Sequence, residues 1–269
     1  MRFLPALAFL QQPCFCCVIP MAWHTGAMNH KPLLILLHGT CLNGDQWALY
    51  RDLLADVAEI AAPDLPGHGV HAHQPFSLDA AVHAIHELVC QAQARQQPVI
   101  LGGHSLGGFV AMSYAERHPD QLAGLILIGS ATEPGGPGAF IYRAVAQLWE
   151  MAGPQRVQQL HEHTLGRMAD ARVWAAVQAR GESFGAVQEA WTQVMQHCGS
   201  RQLQRVHCPV LVLGGQLDQL HFQANRFAAA APHGQVITAP QRTHHWPLTH
   251  PEEVAAHIAT FVQRCLASG

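Results

Sequence analysis

Short apolar runs alternate with amphipathic segments along the first half of the chain. The runs at residues 33–37, 98–101 and 122–128 are apolar almost throughout, which is typical of strands buried on both faces of a sheet. Between them, the apolar positions of residues 45–57 and 77–90 recur with the period of a helix. Strands that alternate with helices in this way predict an α/β fold, with a mostly parallel sheet and helices on both faces.

The alternation stops near Ser130 and resumes near residue 205. The intervening residues begin with a segment rich in Gly and Pro and continue with the apolar spacing of several helices. A helical insert in an α/β chain predicts a cap over the carboxyl edge of the sheet, where open α/β sheets bind their ligands. The predicted organisation is a leader of uncertain structure (1–30), a core (31–130 and 205–269) and a helical cap (131–204).

Composition narrows the classes of partner. A chain of 269 residues is long enough for one domain with a subdomain. The net charge is −3, charged residues make up 12%, and Lys31 is the single lysine, so no basic surface suited to nucleic acid is expected. No apolar run reaches the length of about 20 residues that a membrane helix needs. We therefore expect no nucleic-acid partner and no stable membrane insertion, while the oligomeric state stays open.

The eight cysteines lack the spacing of a disulfide scaffold or a zinc ribbon, which favours reduced thiols in the cytoplasm. Cys14, Cys16 and Cys17 form a cluster in the leader, without a second cluster of metal ligands. The leader loosely resembles an export signal, but its apolar stretch contains Pro5 and no small-x-small cleavage site follows. We expect a cytoplasmic protein, and the role of residues 1–30 stays open.

The strongest chemical signal is the segment Gly-Gly-His-Ser-Leu-Gly-Gly at residues 102–108. Ser105 lies between Gly103 and Gly107 in the spacing G-x-S-x-G, directly after a predicted strand and before a predicted helix. A sharp strand-to-helix turn needs small residues on both sides of the serine, and it exposes the serine oxygen beside the helix N-terminus. The segment predicts a nucleophilic serine, provided that its partners occur elsewhere in the chain.

Two later loops contain those partners. A serine nucleophile needs a base to take its proton and an acid to orient the base. Asp218 follows the predicted strand at 209–213, and His244 and His245 follow the predicted strand at 235–239. The order serine, aspartate, histidine is the one expected after a G-x-S-x-G turn.

In these segments the chain resembles the α/β-hydrolase fold superfamily, in its small cap-bearing group. The match covers about residues 31–265 and rests on five segments in the family's order: His38-Gly39, the loop from Asp64 to Gly69, the Ser105 turn, Gly215-x-x-Asp218, and His244 seven residues before Pro251. The resemblance implies a triad of Ser105, Asp218 and His244. His245 is the alternative base, because His245-Trp246-Pro247 also fits a common family pattern and Thr243 replaces the usual glycine before His244.

The resemblance also implies an oxyanion hole of two backbone N–H groups, those of Thr40 and Leu106, with Cys41 as the neighbour able to replace Thr40. It implies a serine hydrolase that cleaves a small carboxylic ester through an acyl-enzyme and needs no cofactor. Histidine pairs such as His161 and His163 have no carboxylate or cysteine at metal-ligand spacing, so no metal site is predicted.

Several functions share this resemblance. Hydrolases of carbon–carbon bonds and menaquinone-pathway lyases use the same triad and cap, although the lyases tend to have arginine where this chain has Phe109. A non-catalytic ligand-binding protein is the alternative from another class. The loop from His38 to Trp47 is similar to that of the biotin-pathway methyl esterases of pimeloyl-carrier protein. The substrate stays open, as does whether one of the arginines predicted in the cap binds a substrate carboxylate; these are Arg143, Arg156, Arg167, Arg172 and Arg180.

Overall fold

Six parallel strands form one sheet in the structure, a computed structural model that describes residues 31–134, 151, 153–181 and 184–267. The strands in chain order are β1 (Leu33–Leu37), β2 (Glu59–Ala61), β3 (Val99–His104), β4 (Gly124–Ile128), β5 (Val210–Gly215) and β6 (Gly234–Ala239). They pair in the order β2-β1-β3-β4-β5-β6, and every neighbouring pair is parallel. The prediction of an α/β fold with a parallel sheet is confirmed.

The helices of the described residues are α1 (Tyr50–Leu53), α2 (Leu78–Ala94), α3 (Leu106–Arg117), α4 (Pro154–Met168), α5 (Ala171–Arg180), α6 (Val187–His197), α7 (Ala224–Ala230), α8 (Trp246–Thr249) and α9 (Pro251–Ala267). We call α4, α5 and α6 the inserted helices, because they lie between β4 and β5 in the chain. None of the helices in this part of the chain has both the length and the apolar character to cross a bilayer.

Alternate residues of β1 show how the sheet separates two cores. Ile35 and Leu37 pack with side chains of α2 and α3, whereas Leu34 and Leu36 pack with Trp47 and with residues of α9. All residues of β1, β3, β4 and β5 are buried, as expected of strands covered on both faces. Each fully buried leucine stabilises the fold by roughly 1.5–3 kcal/mol, so burial of these strands contributes strongly to the stability of the sheet.

One predicted helix takes a different form. The pattern over residues 45–57 predicts a single helix, but the structure has a 3-10 turn at Gly44–Trp47 followed by the four-residue α1. The Asn43 side chain accepts the N–H of Asp45 at 3.1 Å, and the following amides bond three residues back. This capping starts a tighter turn, while Trp47 and Tyr50 still reach the core.

The predicted division into leader, core and cap stays a prediction. The leader with Cys14, Cys16 and Cys17 lies outside the described residues, and so does Arg143. Within the described residues, β2 forms one edge of the sheet and β6 the other.

Because all six strands are parallel, their carboxyl ends meet at one edge of the sheet. The loops that leave this edge are the 38–46 loop after β1, the loop after β2 that contains Asp64, the Ser105 turn after β3, Gly129 after β4, and the segments that contain Asp218 and His244 after β5 and β6. Open α/β sheets bind their ligands at this edge.

Candidate functional site

Ser105 occupies a strained turn between β3 and α3. Its φ of 52° and ψ of −116° lie where residues with a side chain rarely occur. The turn is possible because its neighbours are glycines: a Cβ added to Gly103 would lie 2.2 Å from the carbonyl carbon of Gly107. The Ser105 N–H donates to the carbonyl of Ile128 at 2.9 Å. This backbone holds the serine at the carboxyl edge of the sheet, where such turns expose a nucleophile.

Asp218 and His244 meet at the same edge. His244 Nδ1 lies 3.0 Å from Asp218 Oδ1, and the Asp218 side chain is only 2% exposed. The same carboxylate oxygen accepts the N–H of Leu220 at 2.8 Å. A buried carboxylate with two donors can orient an imidazole and stabilise its protonated form.

His104, next to Ser105, contacts His244 from the other side. Its Nε2–H donates to the carbonyl of His244 at 2.9 Å, and the two rings are 4.7 Å apart between centroids. Burial lowers the pKa of His104 well below its ordinary value, so its ring is neutral at pH 7. The hydrogen bonds of His244 within the described residues go to Asp218 and His104, and none goes to the Ser105 hydroxyl. Catalytic hydrogen bonds of free enzymes are often longer than in the substrate complex.

Gly129 is a site residue that the sequence analysis did not identify. It follows β4 with φ +56°, and a Cβ there would lie 2.7 Å from Asp218 Oδ2 and 3.0 Å from His244 Nδ1. The chain therefore passes so close to the aspartate and histidine that only glycine fits. A glycine directly after a buried strand was the available sequence signal.

Ser130 supports the serine turn and was also missed. Its Oγ lies 3.0 Å from the Ser105 carbonyl and 2.9 Å from the Ile128 carbonyl. Gly108 makes room for this side chain, since a Cβ there would lie 2.0 Å from Ser130 Oγ. A side chain just after β4 thus supports the backbone of the Ser105 turn.

The 38–46 loop carries backbone amides beside the Ser105 turn. A Cβ added to Gly39 would lie 3.4 Å from the Cβ of Ser105, so the loop runs alongside the turn. Among the residues that the structure describes, the N–H of Thr40 donates to no acceptor. Leu106 is the first residue of α3, and amides in the first turn of a helix have no partner within it. Cys41 follows Thr40 with a left-handed φ of 63°.

His245 has a different environment from His244. Its Nδ1 is buried with no hydrogen-bond partner in the described chain. Burial, followed by the neighbouring His244 and His161, lowers the pKa of His245 to about 4. His245 is therefore a neutral ring at pH 7, packed against the His244 ring at 5.5 Å between centroids.

A cavity of about 160 Å³ begins at Cys41, one residue from Thr40, and extends between α4 and α5. Its lining combines aromatic, aliphatic and neutral polar side chains with one carboxylate: Cys41, Gln158, Glu162, Trp174, Val177, Gln178, Gly181 and Phe184. An apolar cavity of about 150 Å³ holds benzene, so this volume suits a group of about six heavy atoms. No cluster of three metal-ligating side chains occurs in the described ranges.

Comparison with known proteins assigns the chain to a family. The model of the alpha/beta hydrolase family matches residues 34–257. The chain is 30% identical over 256 residues to the pimeloyl-[acyl-carrier protein] methyl ester esterase of Xanthomonas oryzae pv. oryzae strain MAFF 311018. The alignment covers 89% of this chain and 98% of that protein. The comparison assigns the chain to the carboxylic ester hydrolases.

Solved structures agree on the fold. A thermophilic esterase from Thermogutta terrifontis is 25% identical, with a TM-score of 0.68 over 88% of this chain and 91% of that chain. MenH from S. aureus is 18% identical, with a TM-score of 0.71 over 90% of this chain and 97% of that chain; at this identity the likeness shows the fold alone. With the family model covering most of its length and its serine turn at the carboxyl edge of a parallel sheet, the chain belongs to the alpha/beta hydrolase family.

Proposed function

We propose that the chain hydrolyses a small carboxylic ester with a triad of Ser105, His244 and Asp218, through an acyl-enzyme. The observation that carries this proposal is the 3.0 Å contact between His244 Nδ1 and Asp218 Oδ1, at the sheet edge that also holds the Ser105 turn. In a neutral His244 ring whose Nδ1–H donates to the carboxylate, the lone pair on Nε2 is available to take the serine proton.

Two backbone amides support the charge that develops in the reaction. The N–H groups of Thr40 and Leu106 form the proposed oxyanion hole, one on the 38–46 loop and one at the start of α3. Fixed amides stabilise an oxyanion without reorganising during the reaction. The support for Thr40 is that its N–H has no acceptor in the described chain and that its loop runs beside Ser105.

The reaction follows in two halves. Ser105 Oγ attacks the ester carbonyl while His244 Nε2 takes the hydroxyl proton, and the oxyanion is held by the two amides. His244 then gives the proton to the leaving alcohol as the carbon–oxygen bond breaks. Water enters, loses a proton to His244 and attacks the acyl carbon. The bond between the acyl carbon and Ser105 Oγ then breaks, Oγ takes the proton back from His244, and the acid is released.

His244 rather than His245 is the proposed base. Asp218 bonds to His244, whereas His245 has a buried Nδ1 without a partner in this part of the chain. A pKa of about 4 also makes His245 a poor proton acceptor near neutral pH, because an efficient general base has a pKa near the working pH.

The test compares four single variants with an active-site label. A fluorophosphonate probe should label the folded protein at Ser105, and Ser105→Ala should remove both the label and the esterase activity, by roughly 10⁶-fold in kcat. Asp218→Asn should cost on the order of 10⁴ and His244→Ala at least as much, while His245→Gln should cost less than about 10-fold. An unlabelled wild-type protein, or an active Ser105→Ala variant, would contradict the proposal.

For the substrate, we infer a methyl ester on an acyl chain carried by an acyl-carrier protein, the class that the name of the Xanthomonas relative states. The cavity beside Cys41 supports this inference, because a volume of about 160 Å³ has room for part of an acyl chain. Wild-type protein should remove one methyl group from a pimeloyl-carrier methyl ester and leave the thioester intact, as read by mass spectrometry. Cleavage of the thioester, or turnover confined to p-nitrophenyl esters, would contradict this substrate class.

A further inference from the structure

The 38–46 loop is held in place by hydrogen bonds between buried groups of the protein. The N–H of Gly39 donates to Gln46 Oε1 at 2.9 Å. His38 Nε2 accepts the N–H of Leu65 at 2.9 Å, and its Nδ1–H donates to the Gly39 carbonyl at 2.9 Å. Because Nε2 accepts a hydrogen bond, the ring must be neutral with its proton on Nδ1, and burial together with the neighbouring His68 lowers the pKa of His38 to about 3. The conformation around Thr40 therefore depends on the contact with Gln46, further along the loop, and on the contact with Leu65, outside it.

Other contacts of the 38–46 loop join it to the C-terminal end of α5, one of the inserted helices. Arg180 Nε lies 3.0 and 2.9 Å from the two Asp64 oxygens, and its Nη1 lies 3.1 Å from Asp45 Oδ1. Asp64 Oδ1 also accepts the N–H of Gly44 at 2.7 Å. One guanidinium thus ties two consecutive loop residues, Gly44 through Asp64 and Asp45 directly, to an inserted helix.

Asn43 adds a third tie at the same end of α5. This fully buried side chain donates to the carbonyl of Val177 at 2.8 Å and to that of Gly181 at 3.3 Å. Its Oδ1 accepts the N–H of Asp45, so it also starts the 3-10 turn. Three consecutive loop residues are therefore linked to the carboxyl end of one helix that lies more than 130 positions later in the chain.

The charge of Asp64 explains why Arg180 matters most among these contacts. The Asp64 side chain has no exposed surface, and burial alone would raise its pKa. Arg180 and the amides of Gly44 and Val70 outweigh burial and lower the Asp64 pKa below its ordinary value. Without the guanidinium, a buried carboxylate would keep two amide donors and no counter-charge, which is costly in a protein interior.

We propose that Arg180 is a positioning residue for the oxyanion hole, an inference that rests on the function proposed above. By fixing Asp64 and Asp45 to α5, it holds residues 43–45 and, through them, the N–H of Thr40 at the place where the oxyanion forms. The oxyanion hole and the docking of α5 are then assembled together.

The matched control is Arg172, at the start of the same helix. Like Arg180 it bridges two carboxylates, those of Asp170 and Glu252, but neither lies on the 38–46 loop. Arg180→Met and Arg172→Met therefore each remove an arginine that bridges two carboxylates, one from each end of α5, and the Arg172 pairs are the more exposed. Melting temperatures of all variants are measured first, and the assays are run well below the lowest of them.

The readout separates positioning from binding and from folding. Removal of one oxyanion donor typically costs 10²–10³ in kcat, and a displaced amide less. We therefore expect Arg180→Met to lower kcat roughly 10- to 100-fold and to weaken inhibition by a boronic acid, which forms a tetrahedral anion on Ser105, by a similar factor. KM for a neutral short-chain ester should change less than about threefold, because ground-state binding is unaffected. Arg172→Met should match the wild type in both measurements.

A second variant keeps the test valid if Arg180→Met does not fold. Arg180→Lys keeps a positive charge beside Asp64 but loses the forked donor that also reaches Asp45, so an intermediate loss of roughly 3- to 10-fold in kcat is expected. Wild-type kcat and boronate affinity in the folded Arg180 variants would overturn the inference, as would a loss confined to KM or one shared by Arg172→Met. An active Ser105→Ala variant would instead overturn the proposed triad, so the two failures are distinguishable.

Discussion

Ser105 and Gly129, at the ends of two neighbouring strands, have backbone φ angles in the left-handed region, +52° and +56°. For Ser105 the strain holds the side chain at the sheet edge. For Gly129 it is combined with a close approach to Asp218 and His244 that leaves no space for a Cβ. Single-residue conformations therefore determine whether the three proposed catalytic side chains meet.

Gly129→Ala should separate the strain from the close approach. The added methyl group meets Asp218 and His244 at 2.7 and 3.0 Å, so the pair must move. Since a misplacement of about 1 Å in a site can cost on the order of 10²-fold, we expect kcat to fall by about that factor on a short-chain ester.

Gly153→Ala is the control for this experiment. Gly153 also has a left-handed φ, +81°, but a Cβ there meets no atom of the described residues within 4 Å. The Gly153→Ala substitution should lower the free energy of unfolding by about 1 kcal/mol and leave kcat unchanged. Equal activities of the two variants would show that the space beside the pair is not critical.

At the scale of elements, the site depends on how closely α3 approaches the sheet. A Cβ added to Gly107, in the first turn of α3, would lie 2.4 Å from the carbonyl oxygen of Leu37 and 2.7 Å from that of His38. Both are backbone atoms at the end of β1, which cannot rotate away. Strand, turn and helix therefore form one rigid unit whose spacing is set by glycine.

Gly107→Ala should force α3 away from β1. We expect the unfolding free energy to fall by about 3 kcal/mol, within the range of overpacking in a dense core, which corresponds to a drop of roughly 6–12 °C in melting temperature for a chain of this size. Gly185→Ala is the matched control: a Cβ there has no neighbour within 4 Å in the part of the chain that the structure describes, and the change should stay within about 0.5 kcal/mol. Identical melting temperatures for the two variants would refute the close packing of α3.

At the scale of the whole molecule, burial of neutral histidines makes stability depend on pH. Burial lowers the pKa of His38 to about 3 and that of His245 to about 4, and it lowers those of His68, His104, His161 and His221 in the same direction. In the unfolded chain these rings titrate near 6.5. Between the two pKa values the unfolded state binds more protons than the native state, so stability falls as the pH falls.

Urea unfolding between pH 7 and pH 4.5 should show this loss. Each fully buried ring contributes up to about 1.4 kcal/mol per pH unit below its unfolded pKa, and His38, with a pKa of about 3, contributes over the whole range tested. His38→Gln keeps a donor and an acceptor but cannot be protonated, so the slope should be shallower. His83→Gln, at a side chain that is 74% exposed, should leave the slope unchanged. A free energy of unfolding that is constant from pH 7 to pH 5 would contradict the prediction.

The sequence alone determined the features that depend on local pattern. Apolar runs and helical periodicity predict the parallel α/β sheet, because the burial of a strand on both faces is written in consecutive residues such as Leu33 to Leu37. The G-x-S-x-G turn is equally local, since glycines must flank a strained serine. Four of its five residues lie within one strand end and one helix start, so no distant contact is needed to recognise it.

Tertiary structure decided the features that depend on the path of the chain between distant segments. His244 and His245 are adjacent and chemically identical, and only the course of the loop after β6 directs His244 rather than His245 to Asp218. The contact of Arg180 with Asp64 joins residues 116 positions apart, and hydrophobic periodicity contains no information on such a pairing. A buried charge needs a partner in space, and which residue supplies it is known only once the sheet and the inserted helices have packed together.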